Sequence, residues 1–357
     1  MKIDMGNRLV GTGESTYIVF EAGPTHNGLE SAKKLAFLAK ESGADAIKFQ
    51  IADHNRLITT KDLNFSYTRL INKFTGKTEL VSEPLIDIWE RRYMGYENWK
   101  ELKIYCDTLD LNFFATTFFE EDVDFLADEL KVHSLKIASQ DIEFKDLIKY
   151  TAAKGLPIQL DTGNASIGKV ERAIEWVLEE NNNKIIINHC PSGYPARLDS
   201  INLNMIKTLK MMFPEYPVAF SDHSPGWEMD IAARSLGADI IEKTITQDRT
   251  TASCEHMMSL EEEEMHKCVK ALRELDIALG KSRRVMNSNQ KHISRNVMRS
   301  GFLIKDVKKG EKLSIDQIDF RRPGHGVLRP DSYLHYIGRK FKSNFNIGRN
   351  IKIEDLE

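Results

Sequence analysis

The sequence lacks the features that mark several protein classes. Four cysteines are spread over 357 residues without a Cys-x-x-Cys pair or close Cys/His spacing, so neither a disulfide framework nor a zinc site is predicted. There is no run of about 18 apolar residues, as a membrane span requires. The opening MKIDMGNRLVG has no apolar stretch of the kind that a secretory signal needs. The formal net charge of −3 gives no basic excess for nucleic acid. We therefore expect a soluble, cytoplasmic protein that binds neither nucleic acid nor a membrane.

Short apolar runs alternate with amphipathic helical stretches through most of the chain. This alternation is typical of a parallel α/β fold whose strands are buried on both faces. Eight strand–helix units close a (β/α)8 TIM barrel, and a doubly wound open sheet is the alternative. One stretch, residues 52–95, is polar and irregular in pattern, and it is too long for an ordinary connector. The eight predicted strands cover residues 17–22, 44–50, 112–116, 134–138, 156–160, 184–188, 217–220 and 238–242.

The chain is longer than a barrel needs. A barrel takes roughly 250 residues, so about 100 remain for a second domain. We predict a barrel over residues 1–280, where the last helical pattern ends at Gly280. A basic, polar linker is predicted over 281–296, followed by a small, mainly β domain over 297–357. Within that domain the pattern RRPGHG predicts a rigid turn that presents positive charge.

Polar residues collect where the predicted strands end. In a parallel barrel these ends meet at one face, which is where barrel enzymes hold their active sites. Lys48 and Lys136 lie inside apolar strands, which is costly unless each is paired or faces a polar pocket. Lysines with Ser and Thr hydroxyls suit a phosphate or carboxylate, and histidines with carboxylates suit a divalent metal. From these residues alone, aldolases, synthases and metal-dependent hydrolases all remain open.

An ordered set of motifs narrows this choice. The segments FEAGPTHNG, ESGADAIKFQ, LKIASQDI, NHCPSGYP, FSDHSPG and IIEKTIT, in this order, resemble the sialic acid synthase family. The tail VKKGEKLSIDQIDFRRPGHG resembles that family's antifreeze-like (SAF) domain. The resemblance implies a TIM barrel with an SAF domain, in a domain-swapped homodimer. It also implies a phosphoenolpyruvate-dependent transferase that joins phosphoenolpyruvate to an open-chain N-acylated amino sugar and releases phosphate.

The resemblance also implies roles for individual residues. Glu21, Lys48, Lys136 and His223 are expected to be catalytic, and His223 is expected to bind a divalent metal, Mn²⁺ or Mg²⁺. The residues expected to contact phosphoenolpyruvate are Lys48, Thr116, Lys136, Ser139, Ser192 and Ser221. The residues expected to contact the sugar are Gln50, Tyr194, Glu255 and, from the partner subunit, Arg322.

Three positions depart from the family pattern. Thr244 stands where the family has the second metal-binding histidine, which weakens the expected site because a hydroxyl is a poor ligand for a transition metal. Either His256, Glu255 or Glu242 completes the site, or a harder ion is held by oxygens, or metal dependence is lost. Asp161 replaces a serine, and it either restores the lost ligand's charge or pairs with a lysine. Glu255 replaces an aspartate, which leaves the sugar open.

Two other functions remain as alternatives to the synthase. One is a metal-dependent barrel aldolase or lyase that acts on a phosphorylated substrate. The other is a non-catalytic sugar-binding protein that has lost its metal site. Neither the sugar nor the product's pathway can be read from the residues.

Overall fold

The predicted barrel is confirmed. In the computed structural model, which describes residues 1–163 and 165–357, eight parallel strands form a closed barrel in chain order, so the open sheet is excluded. The strands of the chain are β1 (Lys2–Asp4), β2 (Leu9–Gly11), β3 (Tyr17–Glu21), β4 (Ala46–Ile51), β5 (Asn64–Asn72), β6 (Lys77–Pro84), β7 (Asn112–Thr117), β8 (Leu135–Ile137), β9 (Ile158–Asp161), β10 (Ile185–His189), β11 (Val218–Asp222), β12 (Ile240–Thr244), β13 (Ser300–Leu303) and β14 (Ile318–Arg321). The barrel consists of β3, β4 and β7–β12.

Helices cover the outside of the barrel. Helix α7 shows why they pack there: Val170, Ala173, Ile174 and Val177 are spaced so that they fall on one face, and all four are buried. The helices are α1 (Leu29–Glu41), α2 (His54–Leu57), α3 (Leu85–Glu90), α4 (Tyr96–Thr108), α5 (Glu120–Asp124), α6 (Lys145–Ala153), α7 (Ile167–Glu179), α8 (Asn204–Met212), α9 (Glu228–Ser235), α10 (Glu262–Leu279) and α11 (Ser288–Val297). In the described chain, none of them is both long and apolar enough to cross a bilayer.

A hairpin that the sequence did not reveal closes the lower end of the barrel. Strands β1 and β2 pair antiparallel, and Ile3, Met5 and Val10 belong to one buried cluster with inward-facing residues of the barrel strands. These include Tyr17 and Phe114. The amino-terminal end of the barrel is therefore filled with apolar side chains, which leaves the carboxyl-terminal end for polar ones.

The stretch predicted as irregular, residues 52–95, is ordered secondary structure in large part. We call it the excursion, because it leaves the barrel after β4 and returns before α4. It contains α2, α3 and the antiparallel hairpin of β5 and β6. The alternation of Phe65 and Tyr67 with polar neighbours, and Gly76 at the turn, are the signals for a hairpin in this sequence.

The contacts divide the chain into two compact units, Met1–Gly280 and Lys281–Glu357. The second unit has a small core that includes Leu303, Leu328 and Phe341, and its strands β13 and β14 pair antiparallel. The stretch predicted as a linker contains a helix, α11, which was not predicted, and its role as a linker stays a prediction. A capping box between Asn287 and Gln290 starts the helix, and the sequence NSNQ carries that signal.

Candidate active site

A cavity of about 530 Å³ opens at the carboxyl-terminal ends of the barrel strands. Most of the predicted site residues line this central cavity: Glu21, Lys48, Gln50, Thr116, Lys136, Ser139, Ser192, Tyr194, Ser221, His223, Glu242 and Glu255. The structure thus brings together residues from seven of the barrel strands or the loops that follow them. His256 does not line the cavity, and Arg322 lies exposed in the second unit.

Lys48 stands between two carboxylates. Its ammonium contacts Glu21, lies 3.2 Å from Glu242 Oε1, and donates a hydrogen bond of 3.3 Å to Thr116 Oγ1. The Lys48 side chain is buried, as the sequence predicted for a lysine inside a strand. Burial alone would lower the pKa of Lys48, but the charges of Glu21 and Glu242 outweigh it and raise that pKa. Lys48 is therefore a fixed positive charge at the cavity floor.

Lys136 is the second fixed charge. It donates to both oxygens of Glu242, at 2.7 and 2.8 Å, and lies 3.1 Å from Asp161 Oδ2. Ser221 Oγ donates to Glu242 Oε1 at 3.0 Å, and Asn188 donates to Asp161 Oδ1 at 3.0 Å. Of the two readings of Asp161, the structure shows the ion pair with a lysine.

Glu21 and Glu242 have opposite electrostatic settings. Burial would raise the pKa of Glu242, but Lys136 and Lys48 outweigh it and lower that pKa to about 2. Glu21 has the reverse balance: burial raises its pKa despite the charge of Lys48, and the nearby charge of Glu242 adds to the rise. Glu242 therefore stays ionised, whereas the surroundings of Glu21 favour its neutral form more than water favours that of an exposed glutamate.

Side chains one residue further along the strands do not enter the cavity. Lys243 is as buried as Lys136, but it pairs with Asp222, and neither residue lines the cavity. Successive residues of a strand point to opposite faces, so Glu242 faces inward and Lys243 outward. The clustering of polar residues at strand ends therefore indicated more site residues than the cavity contains, because Lys243 and Asp222 do not line it.

Loops after β9 and β10 shape one wall of the cavity. Gly163 N–H donates to Ser139 Oγ at 3.1 Å, which holds the loop after β9 against the loop after β8. A Cβ at Gly163 would overlap the carbonyl oxygen of Cys190, so this close approach needs glycine. The Tyr194 ring lies 4.8 Å from the ring of His223, at the side where the resemblance places the sugar.

The described residues do not fit a metal held by the protein alone. His223 is positioned through Nδ1, 3.0 Å from the carbonyl oxygen of Pro191. The other predicted ligands are unsuitable: His256 Nδ1 is 2.7 Å from Thr246 Oγ1 and lines a separate cavity, and Glu242 is held by both lysines. In the chain outside residue 164, no group of three or more His, Cys, Asp or Glu side chains is arranged to bind a metal. That His256 or Glu242 completes the site stays a prediction, and the hydrogen bonds of both side chains do not support it.

Thr244→His tests this account of the metal site. The pairing of Asp222 with Lys243 places His223 next to Thr244 on the adjacent strand, so the new imidazole lies beside the first. We expect Mn²⁺ affinity to rise by at least about tenfold, because imidazole is a far better ligand than hydroxyl. Mn²⁺ titration followed by electron paramagnetic resonance measures this, with Thr244→Val as the control. Equal affinity in both variants would contradict the assignment.

Glu255 provides a pH-dependent contribution to stability. Burial raises its pKa from 4.5 to about 7, although the charge of Arg92 opposes the rise. At low pH the carboxyl is neutral in the folded and unfolded chains. As pH rises through 4.5 and towards 7, the unfolded chain ionises first, so the free energy of unfolding falls. Since the side chain is partly exposed, we expect a loss of about 1–3 kcal/mol by pH 8.

Glu255→Gln removes this titration. The variant is expected to lose less stability than the parent between pH 5 and pH 8, as measured by urea unfolding at both pH values. Glu228→Gln, on an exposed helix start, serves as the control. A parent and Glu255→Gln protein with the same pH dependence would show that burial does not shift this carboxyl.

Arg92, Ile88 and Trp89 also line the cavity and were not predicted. They lie in the excursion at α3 and just after it, where the sequence gives no motif. A charged residue beside an aromatic one, as in Trp89 and Arg92, is too common a pattern to mark a site. Only the path of the excursion brings these residues to the cavity.

Comparison with known proteins places this site in a family. A model of the NeuB family matches residues 36–284. An uncharacterised protein of Methanocaldococcus jannaschii is 35% identical over 96% of this chain and 95% of its own length. The N,N'-diacetyllegionaminic acid synthase of Legionella pneumophila is 31% identical over 97% of this chain and 96% of its own length. The chain belongs to the NeuB family.

A solved structure of a NeuB-like enzyme agrees with this. The N-acetylneuraminic acid synthetase from Leptospira borgpetersenii, in complex with citrate, has a TM-score of 0.71 and 29% identity, and the match covers 82% of this chain and 95% of that one. The predicted family and the predicted enzyme class, a phosphoenolpyruvate-condensing transferase, are confirmed. The NeuB match fixes the class of product, a nonulosonic acid, and not the individual sugar.

Proposed function

We propose that this protein condenses phosphoenolpyruvate with an open-chain N-acylated amino sugar, giving a nonulosonic acid and inorganic phosphate. The observation that carries the proposal is the inner cluster of the central cavity, in which Lys48 and Lys136 share Glu242 at the carboxyl-terminal ends of the strands. Two buried ammonium groups held at fixed positions suit a reactant with a phosphate and a carboxylate.

The reaction divides into two steps. The C3 carbon of phosphoenolpyruvate attacks the aldehyde carbon of the sugar, forming the new carbon–carbon bond and leaving a cation at C2. Water adds to C2, and the tetrahedral intermediate breaks the C2–O bond to the phosphate ester while the C2 hydroxyl passes its proton to the departing phosphate, which leaves a ketone at C2. We assign the proton on the aldehyde oxygen to Glu21, a buried carboxyl that lines the cavity beside Lys48 and whose pKa burial raises. Once ionised, the same carboxylate accepts the proton of the attacking water.

The remaining cavity residues bind and orient the two reactants. Lys48 and Lys136 oppose the charge of the phosphate throughout, and Thr116, Ser139, Ser192 and Ser221 provide directional hydrogen bonds. Gln50, Tyr194 and Glu255 line the part of the cavity assigned to the sugar. A homodimer in which Arg322 of one subunit meets the sugar in the other remains a prediction of the resemblance. Because the residues do not fit a protein-held metal, no step is assigned to one.

Phosphate release from phosphoenolpyruvate is the direct test. The purified full-length protein is incubated with a panel of N-acylated hexosamines, each with Mn²⁺, with Mg²⁺ or with EDTA. We expect release that depends on one class of sugar, together with a new carboxylic acid detected by mass spectrometry. Protein that binds phosphoenolpyruvate but releases no phosphate with any sugar would favour the non-catalytic alternative. Failure to bind phosphoenolpyruvate at all would overturn the synthase.

A further inference from the structure

Arg92 is a buried cation without a hydrogen-bonding partner in the described chain. Its side chain is 8% exposed, and its Nε and Nη1 atoms, both buried, donate to no residue of ranges 1–163 and 165–357. The guanidinium lies over the Trp89 ring at 3.7 Å, which fixes its plane. No carboxylate of the described residues lies within ion-pair distance of it, although such pairs are formed by many other arginines of the chain.

The neighbouring arginine shows what a satisfied group looks like here. Arg91 donates two hydrogen bonds to the carboxylate of Glu83, at 2.7 and 2.9 Å, and Tyr67 donates to the same carboxylate at 2.7 Å. Burying a guanidinium without such a partner is costly, because both its charge and its donors lose water. The fold nevertheless holds Arg92 in that state, at a position where the residue lines both the central cavity and a second cavity that includes His26 and His256.

Arg92 lies on a different part of the chain from the inner cluster of Lys48, Lys136 and Glu242. Lys48 and Lys136 are on barrel strands, and they already serve the phosphate and carboxylate of phosphoenolpyruvate in the proposed reaction. Arg92 lies in the excursion and lines the central cavity, as do Ile88 and Trp89 of the same segment, and its charge acts on the Glu255 carboxyl. A reactant bound at Arg92 is therefore the acceptor sugar and not phosphoenolpyruvate.

We propose that Arg92 binds an anionic oxygen group, a phosphate ester or a carboxylate, on the acceptor amino sugar. A planar guanidinium presents two parallel donors that match such a group, and the stacking on Trp89 holds the donors in place before binding. The inference rests on the proposed function, since it takes the acceptor to be a sugar. The inference restricts the proposed reaction to acceptor sugars that carry a negative charge.

Direct binding tests this without turnover. N-acetylmannosamine, N-acetylmannosamine 6-phosphate and N-acetylmannosaminuronate are titrated into the full-length protein by calorimetry. We expect one charged sugar to bind about 10- to 100-fold more tightly than the neutral one, the range that a charge-assisted bidentate contact supports. The two charged probes distinguish a phosphate ester from a carboxylate. Arg92→Gln should remove the preference, and Arg92→Lys should keep part of it.

The matched control is Arg91→Gln, which removes the same charge one residue away and should keep the preference. Thermal unfolding of each variant shows whether it is folded. Equal binding of neutral and charged sugars, or no binding of either charged sugar, would overturn the inference. So would an Arg92→Gln enzyme with a raised KM for phosphoenolpyruvate and an unchanged KM for the sugar. Failure of the synthase itself shows separately, as absent phosphate release from phosphoenolpyruvate.

Discussion

Replacing Lys48 with methionine should reduce phosphate release from phosphoenolpyruvate by at least about 1,000-fold, because the fixed, buried charge that we propose to face the reacting phosphate is lost. Lys48 also neutralises Glu21 and Glu242, so the variant carries buried carboxylates with less compensation. We expect a loss of about 3–5 kcal/mol of stability, the cost of breaking a buried pair. Steady-state kinetics and urea unfolding measure the two effects.

A variant of a second buried lysine, Lys243, distinguishes an effect on catalysis from an effect on folding. Lys243 pairs with Asp222 on the outward face of the same barrel, so the double variant Lys243→Met/Asp222→Asn removes a comparable ion pair outside the central cavity. It should lower stability while keeping turnover within about threefold of the parent, since effects confined to structure leave kcat largely unchanged. If this double variant loses as much activity as Lys48→Met, loss of folding rather than of chemistry explains both results.

Asp161→Asn should lower the KM for phosphoenolpyruvate by about 10- to 100-fold, which corresponds to binding that is stronger by about 1.4–2.8 kcal/mol. The lining of the cavity includes three cations, Lys48, Lys136 and Arg92, and four carboxylates, Glu21, Asp161, Glu242 and Glu255. A phosphate ester alone carries about 1.5–2 negative charges at neutral pH, so each carboxylate that faces it weakens binding. Asparagine removes the Asp161 charge and keeps an oxygen that can accept from Asn188.

The control for Asp161 is Asp239→Asn, a buried carboxylate that accepts a hydrogen bond from Val218 N–H at the opposite end of the barrel. It should leave the KM for phosphoenolpyruvate unchanged. A rise in KM for Asp161→Asn would show that Asp161 serves to position Lys136, 3.1 Å away, more than it repels the reactant. Measurements at several salt concentrations separate the two effects, because only repulsion across the open cavity is strongly screened.

Much of the fold was predictable from local pattern. All eight barrel strands lie within about two residues of their predicted positions, because parallel strands buried on both faces are continuous apolar runs. The prediction failed for β1 and β2, for the hairpin in the excursion and for α11. These elements are short, polar or half-exposed, so a weak alternation, a cap or tertiary contacts decide them, and none of these gives as strong a signal as a continuous apolar run.

Site residues were predictable where a charged side chain lies within an otherwise apolar strand. Lys48 and Lys136 stand out because a lysine in an apolar run needs a partner, and the structure supplies Glu21, Glu242 and Asp161. Arg92 gave no such signal, since an arginine in a polar stretch is ordinary until the excursion folds over the barrel. The position of His256 was unpredictable for the same reason, because sequence spacing does not show which of two cavities a loop residue lines.

The walls of the central cavity have two separate origins, and this affects how the enzyme can diversify. The groups proposed to bind phosphoenolpyruvate lie on barrel strands or in the loops directly after them, and a change on a strand disturbs packing on both of its sides. The excursion contributes another part of the wall. It consists of short helices and a hairpin whose strands pair only with each other and not with the barrel. If the excursion binds the sugar as we propose, mutation, insertion or recombination within this one segment can exchange the accepted sugar while phosphoenolpyruvate stays bound as before, so descendants of one ancestor can make different products with one unchanged chemical step.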